Sequence, residues 1–122
     1  MNQEQKQQIA EVTTDGIYEA YPNLWERFGD RGYAHTVKDN HHHLDYLETA
    51  WELQSEQSFL DYAIWLETVL VSRNVETALI IDNFQRLIEI VPRYTETTQG
   101  DFMRGCLDRA VRLLELPHHK RG

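Results

Sequence analysis

Apolar residues recur every three or four positions along almost the whole chain, which is the helical period. Gln3 to Tyr21 begins polar and then carries Ile9, Val12, Ile17 and Tyr21 on one predicted face, with Gly16 weakening the helix by about 1 kcal/mol. Pro22 suits the first turn of a short helix that runs through Phe28 and stops at Gly29. Gly29-Asp30-Arg31-Gly32 reads as a turn. A long helix is predicted from Tyr33 to Gln54. Ser55 is a good N-cap for the next helix, with Glu56 in its first turn. Phe59, Tyr62, Ala63, Leu66, Val69 and Leu70 form its stripe, which Leu60, Ile64 and Trp65 widen nearly all the way round. This helix is predicted to be the central, most buried one.

The pattern breaks around Ser72-Arg73, and Asn74 is the expected cap of a further helix. Val75, Ala78, Leu79, Ile81, Phe84, Leu87, Ile88 and Val91 should face inward until Pro92 closes it. Ala78 to Ile81 and Ile88 to Val91 are apolar and β-branched enough to pass for strands alone, but the longer period favours helix. Thr95 to Gln99 is a polar link, and a last helix runs to about Glu115 on Phe102, Met103, Cys106, Leu107, Ala110, Leu113 and Leu114. Pro117 ends it, and His118 to Gly122 reads as a frayed tail. The expected fold is therefore all-α: one domain over residues 1–122, a bundle of about five or six mostly antiparallel helices. Its core spans about residues 8–116, with 117–122 as a flexible tail.

Composition narrows the function classes. With 122 residues the chain forms one core, and a net charge of −8 argues against a nucleic-acid backbone or an anionic membrane as partner. No apolar run approaches the roughly 20 residues that span a bilayer. The start, Met1-Asn2-Gln3-Glu4-Gln5, lacks a basic flank and an apolar core, so a secretory signal is not expected and a cytoplasmic protein is. Cys106 is the single cysteine, on an apolar stripe, and is expected to be inert. No serine elbow, phosphate loop or paired-carboxylate motif is present, so a non-enzymatic protein is expected.

Candidate chemistry concentrates on the long helix. Its inward stripe carries Tyr33, Thr36, Asn40 and His43 before turning apolar at Leu44, Leu47, Ala50 and Trp51. Asp39 lies one turn before His43, so the two side chains can meet. They suit a metal pair, a carboxylate orienting an imidazole, or a hydrogen-bonded core network. No Glu-x-x-His or His-Glu-x-x-His occurs, and Asp61, Glu67, Asp82 and Glu89 have no histidine beside them, so the network reading is preferred over metal. The ligand-binding alternative is a pocket lined by Tyr33, Asn40, His43, Tyr62 and Trp65, with Trp25, Trp51, Tyr46 and Phe59 as further aromatic wall for a small molecule or a flat tetrapyrrole. Core packing explains the same aromatics. His41-His42-His43 diverge by about 100° each, so they are not a metal tag. Arg104, Arg109, Arg112 and the Lys120-Arg121 pair give the last helix a basic flank, either solvated or able to dock a partner. A homodimer is expected from the apolar girth of the helix Ser55 to Arg73.

Several segments resemble a bacterial helical domain of sensory and regulatory proteins, in some cases found alongside cobalamin-binding modules. They are Tyr21-Pro22-Asn23-Leu24, Arg27-Phe28-Gly29-Asp30-Arg31-Gly32, Asp39 with His43-Leu44-Asp45-Tyr46-Leu47, Phe59 to Leu66, and Leu70 to Val75. The likeness covers about residues 17–92. It implies a small regulatory or sensory module acting through protein contact. In light-sensing cobalamin proteins a Trp is followed by a Glu-His pair over the corrin. Here Trp65 is followed by Val75-Glu76 without the histidine, and Asp-x-His-x-x-Gly is absent. The chain also looks like the globin-like fold, non-haem sensor versions included, with His43 as the only haem-ligand candidate.

Overall fold

The computed structural model describes residues 1–121 and is all-helical. Gly122, the last residue of the expected tail, lies outside the described residues. Five α-helices follow in order: α1 Gln3–Ala20, α2 Asn23–Leu53, α3 Glu56–Val71, α4 Thr77–Ile90 and α5 Thr97–Glu115. Short 3-10 turns cover Val91–Tyr94 and His118–Lys120. Both segments that could pass for strands lie in α4 or its closing turn.

Cross-helix pairs set the directions. On α1 and α2, Lys6 pairs with Asp45 and Glu48 while Tyr33 bonds Asp15, so these helices are antiparallel. Tyr21 bonds Asp82 on α4, and His43 bonds Tyr62 on α3. One core, built on Leu44, Leu47, Phe59, Phe84, Leu87, Met103 and Leu107, runs between α2, α3, α4 and α5. A second, smaller cluster of Ile17, Tyr18 and Leu24 closes the other end with Phe28, Tyr33 and Leu79.

The principal departure from the sequence reading is in α2. Asp30, Arg31 and Gly32 are helical, and the expected four-residue turn shrinks to one residue, Gly29, at φ 64° and ψ −163°. Only glycine occupies that region without strain. Gly32 is needed for space: a Cβ there would lie 2.2 Å from Phe28 Cβ. The kink folds Asn23 to Phe28 back across the bundle, where Arg27 donates to the Asn74 carbonyl at 2.9 Å and pairs with Glu76 at 2.8 Å. Nothing lies within 4 Å of a Cβ added at Gly29, so Gly29→Ala carries backbone strain alone. Urea unfolding should show it destabilised by about 1–3 kcal/mol. A variant as stable as the parent would mean that the bend does not depend on glycine.

Four smaller corrections follow. Val12 is half exposed, and α1 instead buries Ala10, Thr13, Thr14 and Tyr18 alongside Ile9 and Ile17. Asn74 does not cap α4. It sits in the left-handed region at φ 67° and closes α3, with the Val75 amide donating to the Leu70 carbonyl, while Glu76 leads into α4. The polar link before α5 is only Thr95 and Glu96, because Thr97 to Gln99 are helical. The segment read as a loose tail is tied at Arg121, whose guanidinium pairs with buried Glu67 and donates to the Leu114 carbonyl at 2.8 Å. No helix among the described residues is long and apolar enough to cross a membrane.

Candidate functional site

The polar stripe of α2 is buried in two different ways. Asn40 faces α4, where it and Asn83 form a reciprocal amide pair with N–H···O distances of 2.9 and 2.7 Å. Asn40 also donates to the Thr36 carbonyl at 3.1 Å. One turn on, His43 is 2 % exposed and lies against Phe84 in an edge-on contact, with the ring centroids 5.2 Å apart. Its Nδ1 is 2.6 Å from the Tyr62 hydroxyl. Burial pushes the imidazole down to about 3, so the ring is neutral at pH 7. Tyr62 is held protonated by burial, with the Asp39 and Asp45 carboxylates acting in the same direction. Its hydroxyl has no other partner among the described residues, so it donates to Nδ1 and the imidazole proton rests on Nε2. Nε2 has no protein hydrogen-bond partner there.

His43 lines a cleft of about 60 Å³ under the kink of α2. Tyr18, Leu24, Phe28 and Leu79 form its apolar walls, and Thr36, Asp39 and Asn83 add polar groups. The space is several waters in size, far below the ~300–1,000 Å³ of ordinary ligand clefts, and too small for a tetrapyrrole. Asp39 and His43 share the cleft but are not hydrogen-bonded to each other. The expected meeting of carboxylate and imidazole is replaced by the bond to Tyr62, a partner from another helix. Among the described residues no group of three or more His, Cys, Asp and Glu side chains is placed to hold a metal ion.

Asp39 also lines a second, larger concavity. This is a groove of about 390 Å³ between α2 and α3, with His35, Lys38, Asp39 and His42 on one wall. Tyr62, Trp65, Leu66, Val69, Leu70 and Arg73 form the other. Burial raises the Asp39 carboxyl above its ordinary value, against the pull of His42, His35, Arg73 and Lys38. No described ion pair occupies Asp39, Lys38 or Arg73. With seven of its 16 residues buried, α3 has the largest buried share of the five helices, as expected, yet Trp65 is 57 % exposed and Val71 49 % exposed. Part of its apolar girth therefore faces outward. Exposed Tyr46 stacks on Tyr62 with centroids 3.9 Å apart and continues the aromatic surface past the groove.

The five residues expected to line one pocket are thus dispersed. His43 lines the cleft, and Tyr62 and Trp65 line the groove. Asn40 is consumed by its pair with Asn83. Tyr33 packs on Trp25 and Tyr18 in the smaller cluster and bonds Asp15. Sequence reasoning missed Asn83, Lys38 and Arg73, none of which stands out before the helices are docked. Cys106 is buried and pushed up to about 12 by desolvation, so its thiol is unreactive at neutral pH. No family model, curated protein or solved structure matches this chain.

Proposed function

We propose that the protein is a non-enzymatic binding module of the regulatory or sensory kind that works by contact with another protein. The observation that carries this reading is the unfilled α2–α3 groove with Trp65 exposed on its wall. A helix bundle gains nothing in folding by leaving a tryptophan largely in water, and exposed aromatic patches rimmed by polar groups mark contact surfaces. In the His43 cleft the Thr36 hydroxyl is engaged by the Gly32 carbonyl and the His43 Nδ1 by Tyr62. A photocrosslinking residue at position 65, expressed in the source cell, should give discrete protein adducts, and one at exposed Glu115 should not. Equal patterns at the two positions would remove this reading.

A second reading, small-molecule binding at the His43 cleft, rests on Nε2 having no protein partner in a buried imidazole. It requires the Asn23 to Phe28 segment to lift, because a cleft of about 60 Å³ holds only waters. The discriminating result is thermal stabilisation by a small hydrogen-bonding ligand that is lost in His43→Gln.

A further inference from the structure

We propose that the α2–α3 groove docks an acidic amphipathic helix of a partner protein. This names the kind of partner for the binding module proposed above and rests on that reading. The two walls present different chemistry. The α3 wall, from Tyr62 to Leu70, is aromatic and aliphatic, and Arg73 closes it. The α2 wall carries His35, Lys38 and His42 at helical spacing. Tyr62 to Arg73 spans about 16 Å at 1.5 Å per residue, about three turns of a docked helix. An occupant therefore needs an apolar stripe toward α3 and carboxylates on the adjoining flank toward α2, the arrangement of helix-in-groove recognition.

Charge selects the sign of the occupant. The chain as a whole carries −8, yet here Lys38 and Arg73 outnumber the one carboxylate, Asp39. Of the ten other lysines and arginines, Lys6, Arg27, Arg86, Arg104, Arg109, Arg112 and Arg121 are each engaged by a carboxylate, and Arg31, Arg93 and Lys120, unpaired among the described residues, do not line the groove. The groove thus holds free cationic side chains beside an apolar wall, in a protein that otherwise repels acidic partners. Asp39 on the groove wall disfavours a phosphate backbone, which would bring charge along its full length. A second copy would have to seat a surface other than the groove itself, and it brings the same net charge of −8 with it.

The test uses the whole chain and a stapled 16-residue peptide with leucines along one flank and glutamates along the next, beside a twin with lysine for every glutamate. Titration calorimetry should show micromolar binding of the acidic peptide only. NMR shifts should cluster on residues 35–42 and 62–73. Affinity should fall about tenfold or more in Arg73→Glu, Lys38→Glu or about 0.5 M salt, with far-ultraviolet dichroism unchanged. Exposed Trp65→Ala, which leaves the core intact, should weaken binding comparably. Equal binding of the twins, shifts outside the groove, or no binding at millimolar peptide would overturn the proposal. So would light scattering that shows the groove filled by a second copy. If adducts from position 65 persist while the acidic peptide fails, the binding module stands and this partner chemistry falls. If both fail, both readings fall.

Discussion

Acid should unfold this protein through one side chain. Between pH 6 and pH 4 the His43 ring alone should remove about 2–3 kcal/mol of stability, at a slope that approaches about 1.4 kcal/mol per pH unit. The imidazole is depressed from an ordinary 6.5 to about 3 in the fold, because charging it there would strip a cation of water beside Phe84 and Tyr62. The unfolded chain binds the proton near 6.5 and the folded chain does not until about 3, so protons favour unfolding throughout that window. The contribution is complete above 6.5 and is lost as pH falls. Asp39 works the other way: its carboxyl is raised by burial, so taking up a proton relieves the fold as pH falls toward the acidic range. Glu67, lowered by its bonds to Arg121, reinforces His43 only below about 4.5, the ordinary carboxylate value. The span from pH 7 to 5 lies above the Glu67 window, and the difference between the parent and a His43 variant over it reports the histidine. Urea midpoints should drop over that span in the parent and stay nearly level in His43→Gln, whose amide oxygen can accept from Tyr62. Equal slopes in the two proteins would show that the ring is not buried in its neutral form.

The helical architecture is readable in the sequence because it rests on local periodicity. Helices 1, 3 and 5 start and end within a few residues of where apolar spacing, Ser55 and Pro117 place them. The errors arise where a local signal has two physical outcomes. Gly29 and Gly32 mark a backbone need, but composition does not distinguish a four-residue turn from one residue at φ 64° inside a continuing helix. Asn74 suits both an N-cap and a left-handed helix end, and the choice is made by Val75 reaching Leu70. The apolar girth of α3 is equally ambiguous. It fits a helix wholly surrounded by core or one with an apolar strip left in solvent, and only the placement of Trp65 decides. The site is less legible still. One helix shows that Asp39 and His43 share a face, but nothing local shows that Tyr62, 19 residues on, supplies the hydrogen bond to His43.

The Asn40–Asn83 pair gives the second large effect, and it separates a packed network from a pocket. These amides are 43 residues apart in sequence, and their side chains are buried between α2 and α4. Asn40→Leu leaves the Asn83 amide without its donor and acceptor, and Asn83→Leu does the reverse. Each should cost about 2–4 kcal/mol, because an unpaired buried amide loses its water and gains nothing. The double variant removes both polar groups together and replaces them with apolar volume. It should be markedly more stable than the sum of the single losses predicts, by about 2 kcal/mol in the coupling of the cycle. A pocket residue would behave differently: each single change would leave folding nearly intact, and the coupling would vanish. Such a pair has a use beyond stability. Two leucines can slide past each other at little cost, whereas the two amides satisfy each other in one register of α2 against α4. That register places His43 under the kink and fixes the α2 wall of the groove opposite Trp65. The double variant should therefore retain helicity and most of its stability, yet show broadened amide resonances for residues 35–42. Sharp resonances there would mean that packing alone holds α2 in place.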